Sequence, residues 1–267
     1  MLILLSSAGA AAQNEGSQNT IIKEILAQWN KSDVVCLGEG HGSERDSALR
    51  IALIEHPDFI GTVNAVMVEF ADSRQQELLD RFAIDGEDMP RDKLRLAWSS
   101  TSGSEVWNLP VYEDFIRSVR RINLKLPRDR RIRLLGGDTS GEKNRGRVIR
   151  EAVGREILDK NLKALAIYGS RHCKRRGFGF PGELSDKYPG KIWAVIAFDD
   201  PDEGKRIFGL GDDPKYLRIT GTEKAKVSAD KMFAPGRSKS PTTVGDVTDA
   251  VIYFGKPTGR AALSKTN

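Results

Sequence analysis

Val34-Val35-Cys36-Leu37-Gly38-Glu39-Gly40-His41-Gly42 is a short apolar, β-rich run that stops in a glycine-studded turn carrying one carboxylate and one imidazole. A helical segment is expected to begin near Ser43, a residue type that caps helix starts. Moving outward, the same order of strand, turn and helix returns three times. Residues 65–68 end at Glu69 ahead of a helix around 75–82, and residues 132–135 end at Gly136-Gly137-Asp138 ahead of a helix from about 145 to 158. Residues 164–168 end at Gly169-Ser170-Arg171-His172. Strands so uniformly apolar are covered on both faces, and connections long enough to hold a helix imply parallel pairing. The expected fold class is α/β, a mostly parallel (mixed) central sheet flanked by helices on both faces.

The rest of the chain fills in around this frame. A helical insertion between the second and third strands carries Leu94, Leu96, Ala97 and Trp98, followed by a Gly/Ser-rich turn over 99–104. Val111, Tyr112, Phe115, Ile116, Val119 and Ile122 then form one apolar helical stripe that Pro127 prevents from continuing. Ile21, Ile22, Ile25, Leu26 and Trp29 mark an earlier amphipathic helix over 19–30. Further strands are expected at 192–198, 216–220 and 250–254, and residues 234–243, rich in Pro, Gly, Ser and Lys, read as a mobile surface loop. No repeat of fixed period occurs. Residues 13–267 are expected to form a single α/β domain, and residues 1–12 read as a signal peptide remnant. In MLILLSSAGAAAQ an apolar run leads to Ala10-Ala11-Ala12, although no basic residue precedes it. The expectation is a periplasmic or secreted, soluble protein, because no segment approaches the roughly 20 apolar residues that span a bilayer.

In open α/β sheets ligands bind beyond the carboxyl ends of the strands. That rule gathers Glu39 and His41, Glu69, Asp138 and His172 at one edge. The chain has only three histidines, and two of them fall in this set, which raises the weight of the coincidence. Gly38, Gly40 and Gly42 allow a backbone path that brings Glu39 and His41 up to a ligand. A carboxylate and an imidazole so placed serve as general base and orienting partner, or as metal ligands. Glu69 closes an apolar strand and so requires a partner. Asp138, before Thr139 and Ser140, serves equally well as a turn residue. The third histidine, His56, precedes Pro57 and reads as a helix C-terminal cap.

Other chemistries have less support. Gly38-x-Gly40-x-x-Ser43 approximates a dinucleotide-binding fingerprint, but the third glycine is missing and Glu39 would face a pyrophosphate. The formal net charge of +5, from 42 basic and 37 acidic residues, favours anionic partners only weakly. The run from Arg117 to Arg133 reads as a solvated helix face, and neither it nor the Arg171–Arg176 cluster has the interleaved aromatics that stack on bases, so no nucleic-acid partner is expected. Two cysteines, Cys36 and Cys173, make neither a disulfide framework nor a structural zinc site, and leave open a single bridge between them.

Leu37-Gly38-Glu39-Gly40-His41, Val66-Met67-Val68-Glu69-Phe70 and Ala166-Ile167-Tyr168-Gly169-Ser170-Arg171-His172 together resemble the superfamily of erythromycin esterases, ChaN-like haem-uptake proteins and Tiki/TraB proteins. Ser73-Arg74-x-Gln76, Tyr112, Val119-Arg120, Leu135-Gly136-x-Asp138 and the segment from Asp249 to Gly255 extend the likeness, which is nearest to an uncharacterised bacterial branch. The resemblance implies one pocket around the first Glu and His, the second Glu and the late His. Esterase-like members imply His41 as general base for water, Glu39 and Glu69 as its orienters, and His172 as a second polar group. Erythromycin esterases place two residues between that first Glu and His where this chain places one. Tiki-like members imply a divalent metal held by Glu39, His41, Glu69 and His172, and ChaN-like members imply haem. The leading expectation is thus a hydrolase with catalytic Glu39, His41, Glu69 and His172 and substrate-binding Asp138, Arg74, Arg171 and Arg175, acting on a small, anionic molecule. The alternatives are a haem- or divalent-metal-binding uptake protein and a non-catalytic interaction protein.

Overall fold

The computed structural model describes residues 5–99, 101, 104–139, 144–177, 179–198, 201–229 and 242–256. Seven strands form its sheet: β1 (Val34–Glu39), β2 (Ala65–Asp72), β3 (Arg133–Asp138), β4 (Ala164–Gly169), β5 (Ile192–Phe198), β6 (Lys215–Arg218) and β7 (Ala250–Tyr253). Their order is β3-β2-β4-β1-β5-β7-β6. All pairings are parallel except β6 with β7. The expected mixed, mostly parallel α/β architecture is therefore the observed one.

The helices are α1 (Leu5–Leu26), α2 (Glu44–Glu55), α3 (Pro57–Thr62), α4 (Gln76–Ala83), α5 (Arg91–Arg95), α6 (Ser104–Trp107), α7 (Pro110–Asn123), α8 (Arg145–Glu156), α9 (Phe180–Leu184) and α10 (Pro201–Phe208). Because side chains alternate along a strand, the buried strands feed two cores. Val35 and Leu37, Val66 and Val68, and Leu165 and Ile167 face α1, α2, α4 and α7, meeting Ile25, Leu53, Phe82 and Phe115. Cys36, Met67, Ala166 and Tyr168 face the other way, toward Ile149 and Val153 of α8 and Phe180 of α9. A third core under α10 joins Ile196 and Val251 to Ile207. The insertion expected between the second and third strands is α4 through α7. Among the described residues no helix is long and apolar enough to cross a membrane.

Several local readings need correction. β2 runs on to Asp72 rather than ending at Glu69, with a bulge: Val68 pairs with Gly136 and the next pair is Asp72 with Asp138. Three residues of β2 thus oppose one of β3, and Glu69 sits in the irregular stretch where the ladder is released. His56 is the expected C-terminal cap of α2, its N–H donating to Leu53 O at 3.2 Å, and it also caps the start of α3, its Nδ1 accepting the N–H of Asp58 at 3.2 Å, because Pro57 begins a new helix directly. The dinucleotide reading fails on topology, since β4 lies between β1 and β2 and the two acids do not end neighbouring strands. The earlier helix begins well before Asn19, at Leu5, so residues 5–12 of the expected leader are helical. Most of the expected 234–243 loop lies outside the described residues. Cys36 and Cys173 form a disulfide with Cα atoms 5.5 Å apart, closing the alternative the sequence left open.

The two sheet edges differ. Gln76 plugs the β3 edge, its side-chain amide donating to Leu134 O at 2.8 Å and accepting the Gly136 N–H at 3.0 Å. A side chain here does the work of an eighth strand, which blunts the edge against foreign strands. Toward the middle, β1 leads into α2 on one face while β4 leads into α9 on the other. The crevice between β1 and β4 is therefore the switch point where such sheets take ligands.

Candidate functional site

Two charge-compensated units meet at this crevice, one from each face of the sheet. Glu39, the last residue of β1, follows Val35 and Leu37 in the alternation and so points toward α2 and α7. Its side chain has no exposed surface. Oε2 accepts from the Arg50 guanidinium on α2. Oε1 accepts from the Tyr112 hydroxyl on α7 at 3.1 Å and from His41 Nδ1 at 2.8 Å. Arg50, itself buried, also pairs through Nε with Asp46 one turn earlier at 3.1 Å. Burial pushes the Glu39 carboxyl up, but the Arg50 charge and the His41 contact more than offset this and leave it below the ordinary value.

The turn after β1 is shaped for His41. Ser43 caps α2, accepting the Asp46 N–H at 3.3 Å, and Gly42 takes a φ of 77° while its N–H donates to the Tyr112 hydroxyl at 2.9 Å. Trp107 stands edge-on to the imidazole at 4.7 Å. The hydrogen bond to Glu39 raises the His41 pKa, burial opposes it, and the Glu39 and Glu69 charges add to the rise. Its side chain keeps 42% of its surface exposed.

The second unit lies on the α8 side. Glu69 Oε1 accepts from Arg145 Nη2 at 2.5 Å, and Oε2 accepts the N–H of Gly169 at the end of β4. Arg145, the first residue of α8, also holds Asp138 Oδ2 through Nε at 2.8 Å. One guanidinium thus compensates two buried carboxylates from adjacent strands. Asp138 Oδ1 meanwhile accepts the Thr139 N–H at 2.8 Å, the turn role its sequence context implied. His172 Nε2 lies 3.6 Å from Glu69 Oε1, and its buried Nδ1 has no hydrogen-bond partner. Burial lowers the His172 pKa; the nearby Glu69 charge opposes the shift and that of Arg145 adds to it.

Gly169 is where the units touch. A Cβ there would stand 2.8 Å from His41 Cε1 and 3.4 Å from Glu69 Oε2, so only glycine lets the His41 ring lie across the end of β4. Gly38 has a parallel role, since its absent Cβ makes room for Ser170 Cα, which would lie at 2.9 Å. The Ser170 N–H and hydroxyl both donate to Glu39 O, at 3.0 and 3.1 Å, and the chain then folds back so that Cys173 bonds to Cys36.

The structure therefore brings Glu39, His41, Glu69, His172 and Asp138 together. It treats the expected substrate-binding arginines differently. Arg74 is clamped on buried Asp72 by both its Nε and Nη2, while Arg171 is exposed beside His172. Arg175 is held elsewhere: its guanidinium pairs with Asp249, just before β7, and its N–H with Val247 O. The metal-ligand set Glu39, His41, Glu69 and His172 does not form a cage, because guanidinium groups occupy both carboxylates. Among the described residues no group of three or more His, Cys, Asp or Glu side chains could hold a metal ion. The first arginine run behaves as a solvated face, with Arg117 on Glu113, Arg121 on Glu55, Arg128 on Asp85 and Arg133 on Asp80.

Sequence reasoning missed Arg50, Arg145 and Trp107 as site residues, and read Tyr112 as part of an apolar stripe and of the family resemblance without giving it a place in the site. Arg50 left one signal, the i, i+4 spacing to Asp46 within an otherwise apolar helix face. Arg145 left none, since a helix-opening arginine is ordinary.

Fold and site together define an α/β protein with a polar, two-histidine cluster at the switch point of its sheet. Residues 25–139 match the family described as haem-binding uptake, Tiki superfamily, ChaN, so over that stretch the chain is similar to the ChaN and Tiki proteins that its motifs resemble. The matched stretch contains the whole Glu39 unit, Glu69 and Asp138, and stops short of Arg145 and His172. Among solved structures, a Bacillus cereus protein is 10% identical, with 89% of this chain and 97% of that one covered at a TM-score of 0.56. The type III effector HopBA1 is 12% identical, with coverages of 90% and 94% and a TM-score of 0.51. ChaN of Campylobacter jejuni, described with cofacial haem binding, is 16% identical, with coverages of 67% and 86% and a TM-score of 0.46. At such identities the likeness to the Bacillus cereus protein and to HopBA1 is one of fold. A search of the curated proteins returns no match.

Proposed function

We propose that the chain binds haem at the β1/β4 crevice, with His41 as the protein ligand to the iron. The observation that carries this reading is the setting of His41. Its Nδ1 is held by a buried carboxylate, which fixes ring orientation and raises the basicity of the opposite nitrogen, the arrangement typical of ligating histidines. Beside it stand Trp107 and, on the same turn, the exposed apolar side chain of Leu109 at 43%. Leu109 packs on the turn itself, since a Cβ on Gly42 would lie 2.7 Å from its Cδ1. An imidazole next to an exposed apolar side chain and an indole suits a flat, largely apolar ligand. The family match over residues 25–139 supports the same reading.

The donor set fits the group. Haem can be held by one histidine, since the porphyrin itself supplies ligands to its iron, so the chain needs no carboxylate cage. Bound haem would supply an iron centre whose reactivity depends on its axial ligand. Arg50 and Tyr112 hold Glu39, Glu39 orients His41, and Trp107 limits the swing of its ring. The buried Cys36–Cys173 bond supports a periplasmic or secreted location, where disulfides persist. Haemin titration followed by visible absorbance tests the reading. The wild-type protein gains a saturable Soret band at one equivalent, and His41→Ala shifts or loses it while keeping the same far-UV spectrum. An unshifted band in that variant sinks the assignment.

A second reading, hydrolysis, is favoured by one observation. His41 and His172 flank Glu69, and their surroundings push their proton affinities in opposite directions, the pattern of an acid paired with a base. In this reading neutral His172 takes the proton from water and His41 donates one to the leaving group. A screen of esters, peptides and phosphoesters against wild type, His41→Ala and His172→Ala decides it, since turnover lost in both variants supports hydrolysis and an inert wild type removes it.

A further inference from the structure

The segment after β4 runs back across β1. Ser170 bonds to Glu39 O at the carboxyl end of β1, Cys173 is bonded to Cys36 in the middle of that strand, and the Arg175 N–H reaches Val247 O ahead of β7. Residues 170–175 thus form a strap over the strand that carries Glu39. The strap lies flat because Gly38 has no Cβ, which would stand 3.2 Å from Cys173 Cβ. From outside, Gly179 passes so close that a Cβ there would overlap the Lys174 carbonyl, and the Phe180 N–H donates to His172 O at 3.1 Å.

Two parts of the crevice depend on this strap. Among the described residues no hydrogen bond fixes the His172 ring: Nδ1 has no partner, Nε2 stands 3.6 Å from Glu69 Oε1, and the Tyr168 ring lies 6.3 Å away between centroids. The place of the ring is therefore set by its backbone, and the next residue is Cys173. At the other end Gly169 and Ser170 close the floor beneath His41, whose Cε1 would stand 2.8 Å from a Cβ on Gly169. Both cysteines are wholly buried, so a reductant reaches the bond only after the strap lifts.

We infer that the Cys36–Cys173 bond is a redox latch on the crevice: closed, it keeps Gly169, Ser170 and His172 in place, and its reduction by a dithiol loosens them and weakens ligand binding. In that exchange the Cys36–Cys173 bond breaks, each sulfur takes one electron and one proton from the dithiol, and a disulfide forms in the reductant. A ligand that needs the strap in place must in return protect the bond, since coupling between two equilibria is reciprocal. The site is then tight where disulfides persist and loose where dithiols reduce them. For the identity of the ligand the inference rests on the haem reading.

Haemin titration of Cys36→Ser/Cys173→Ser tests the latch without free thiols near the iron. Affinity should fall about tenfold or more below wild type, the cost of ordering one or two loosened side chains again on binding. The reverse coupling is read with zinc protoporphyrin, whose metal is redox-inert, in a dithiothreitol redox buffer. For a tenfold loss of affinity on reduction, saturating zinc protoporphyrin should lower the reduction potential of the bond by about 30 mV, the same factor in a two-electron equilibrium. Equal affinities of the two proteins, with a potential that the ligand leaves unmoved, refute the latch and leave the haem reading standing. If wild type binds neither porphyrin, the haem reading fails, and the His172 ring then judges the latch alone. Its resonances should shift on reduction, and its pKa, which burial holds down, should return toward the ordinary 6.5 and recover on reoxidation. Ring signals indifferent to reduction overturn the latch as well. Should the serine variant not fold, reduced wild type takes its place in the titration, with zinc protoporphyrin as ligand. If far-UV spectra show that both unfold, the latch is overturned, because the bond then holds the whole fold rather than the strap.

Discussion

Replacing Arg50 by Met would leave the Glu39 carboxylate, whose side chain has no exposed surface, without its compensating charge. Tyr112 and His41 would still bond Oε1, but Oε2 would lose its guanidinium and Asp46 would lose its partner at 3.1 Å. Breaking a buried pair by removing one partner costs about 3–5 kcal/mol. A chain of this length unfolds with an entropy of about 0.5 kcal/mol per degree, so the melting temperature should fall by roughly 6–10 °C at pH 7.5. The loss should depend on pH in a set direction. In wild type the Glu39 pKa is depressed, so its stabilisation is present above the ordinary value of 4.5 and lost as pH falls through the folded value. In the variant, burial without Arg50 raises that pKa, so the penalty is full above it and shrinks as acid protonates Glu39. Thermal unfolding followed by circular dichroism at pH 7.5 and 5 reads both effects. A melting temperature within 2 °C or so of wild type at pH 7.5, or a deficit that grows in acid, would refute the view that Arg50 neutralises a buried Glu39 carboxylate.

Reducing Cys36–Cys173, or replacing both by Ser, should cost roughly 2–5 kcal/mol for a bond closing so long a loop, read as a lower denaturant midpoint. A midpoint indifferent to reductant contradicts it. Gly169→Ala should displace the His41 ring, whose Cε1 would lie 2.8 Å from the new methyl, and lower haemin affinity at least about tenfold with the fold retained. Unchanged affinity would show that His41 does not ligate from its observed place. Haemin binding should weaken as pH falls through the raised His41 pKa, because proton and iron compete for Nε2, so the midpoint should lie above 6.5. Binding that stays flat from pH 8 to 5.5 speaks against His41 as the ligand.

The strands were legible because buried parallel strands write themselves as unbroken apolar runs, and the position of Glu39, His41 and His172 followed from where those runs stop. Glu69 was found for a reason that the structure changes. Its charge marked the end of an apolar run, yet the strand continues through a bulge, which sequence does not signal. Arg50 and Arg145 escaped notice because each becomes a site residue only through a tertiary contact, Arg50 across a turn and Arg145 across two strands. Arg175 shows the converse. Its neighbourhood to His172 in sequence placed it at the site, and the fold-back secured by Cys173 takes it toward the start of β7. His56 was read correctly as the end of the helix before it, and Pro57 adds a second role by starting a helix directly after it.

The claim that most of this account rests on is that His41, braced by Glu39 at the β1/β4 crevice, receives the iron of haem. A crystal structure of the haemin-saturated protein tests it in one measurement. The account predicts iron bonded to His41 Nε2, the ring lying along Trp107 and Leu109, and the Glu39–Nδ1 hydrogen bond intact. Haem bound elsewhere on the molecule, or ligated in this crevice by a residue other than His41, would contradict it.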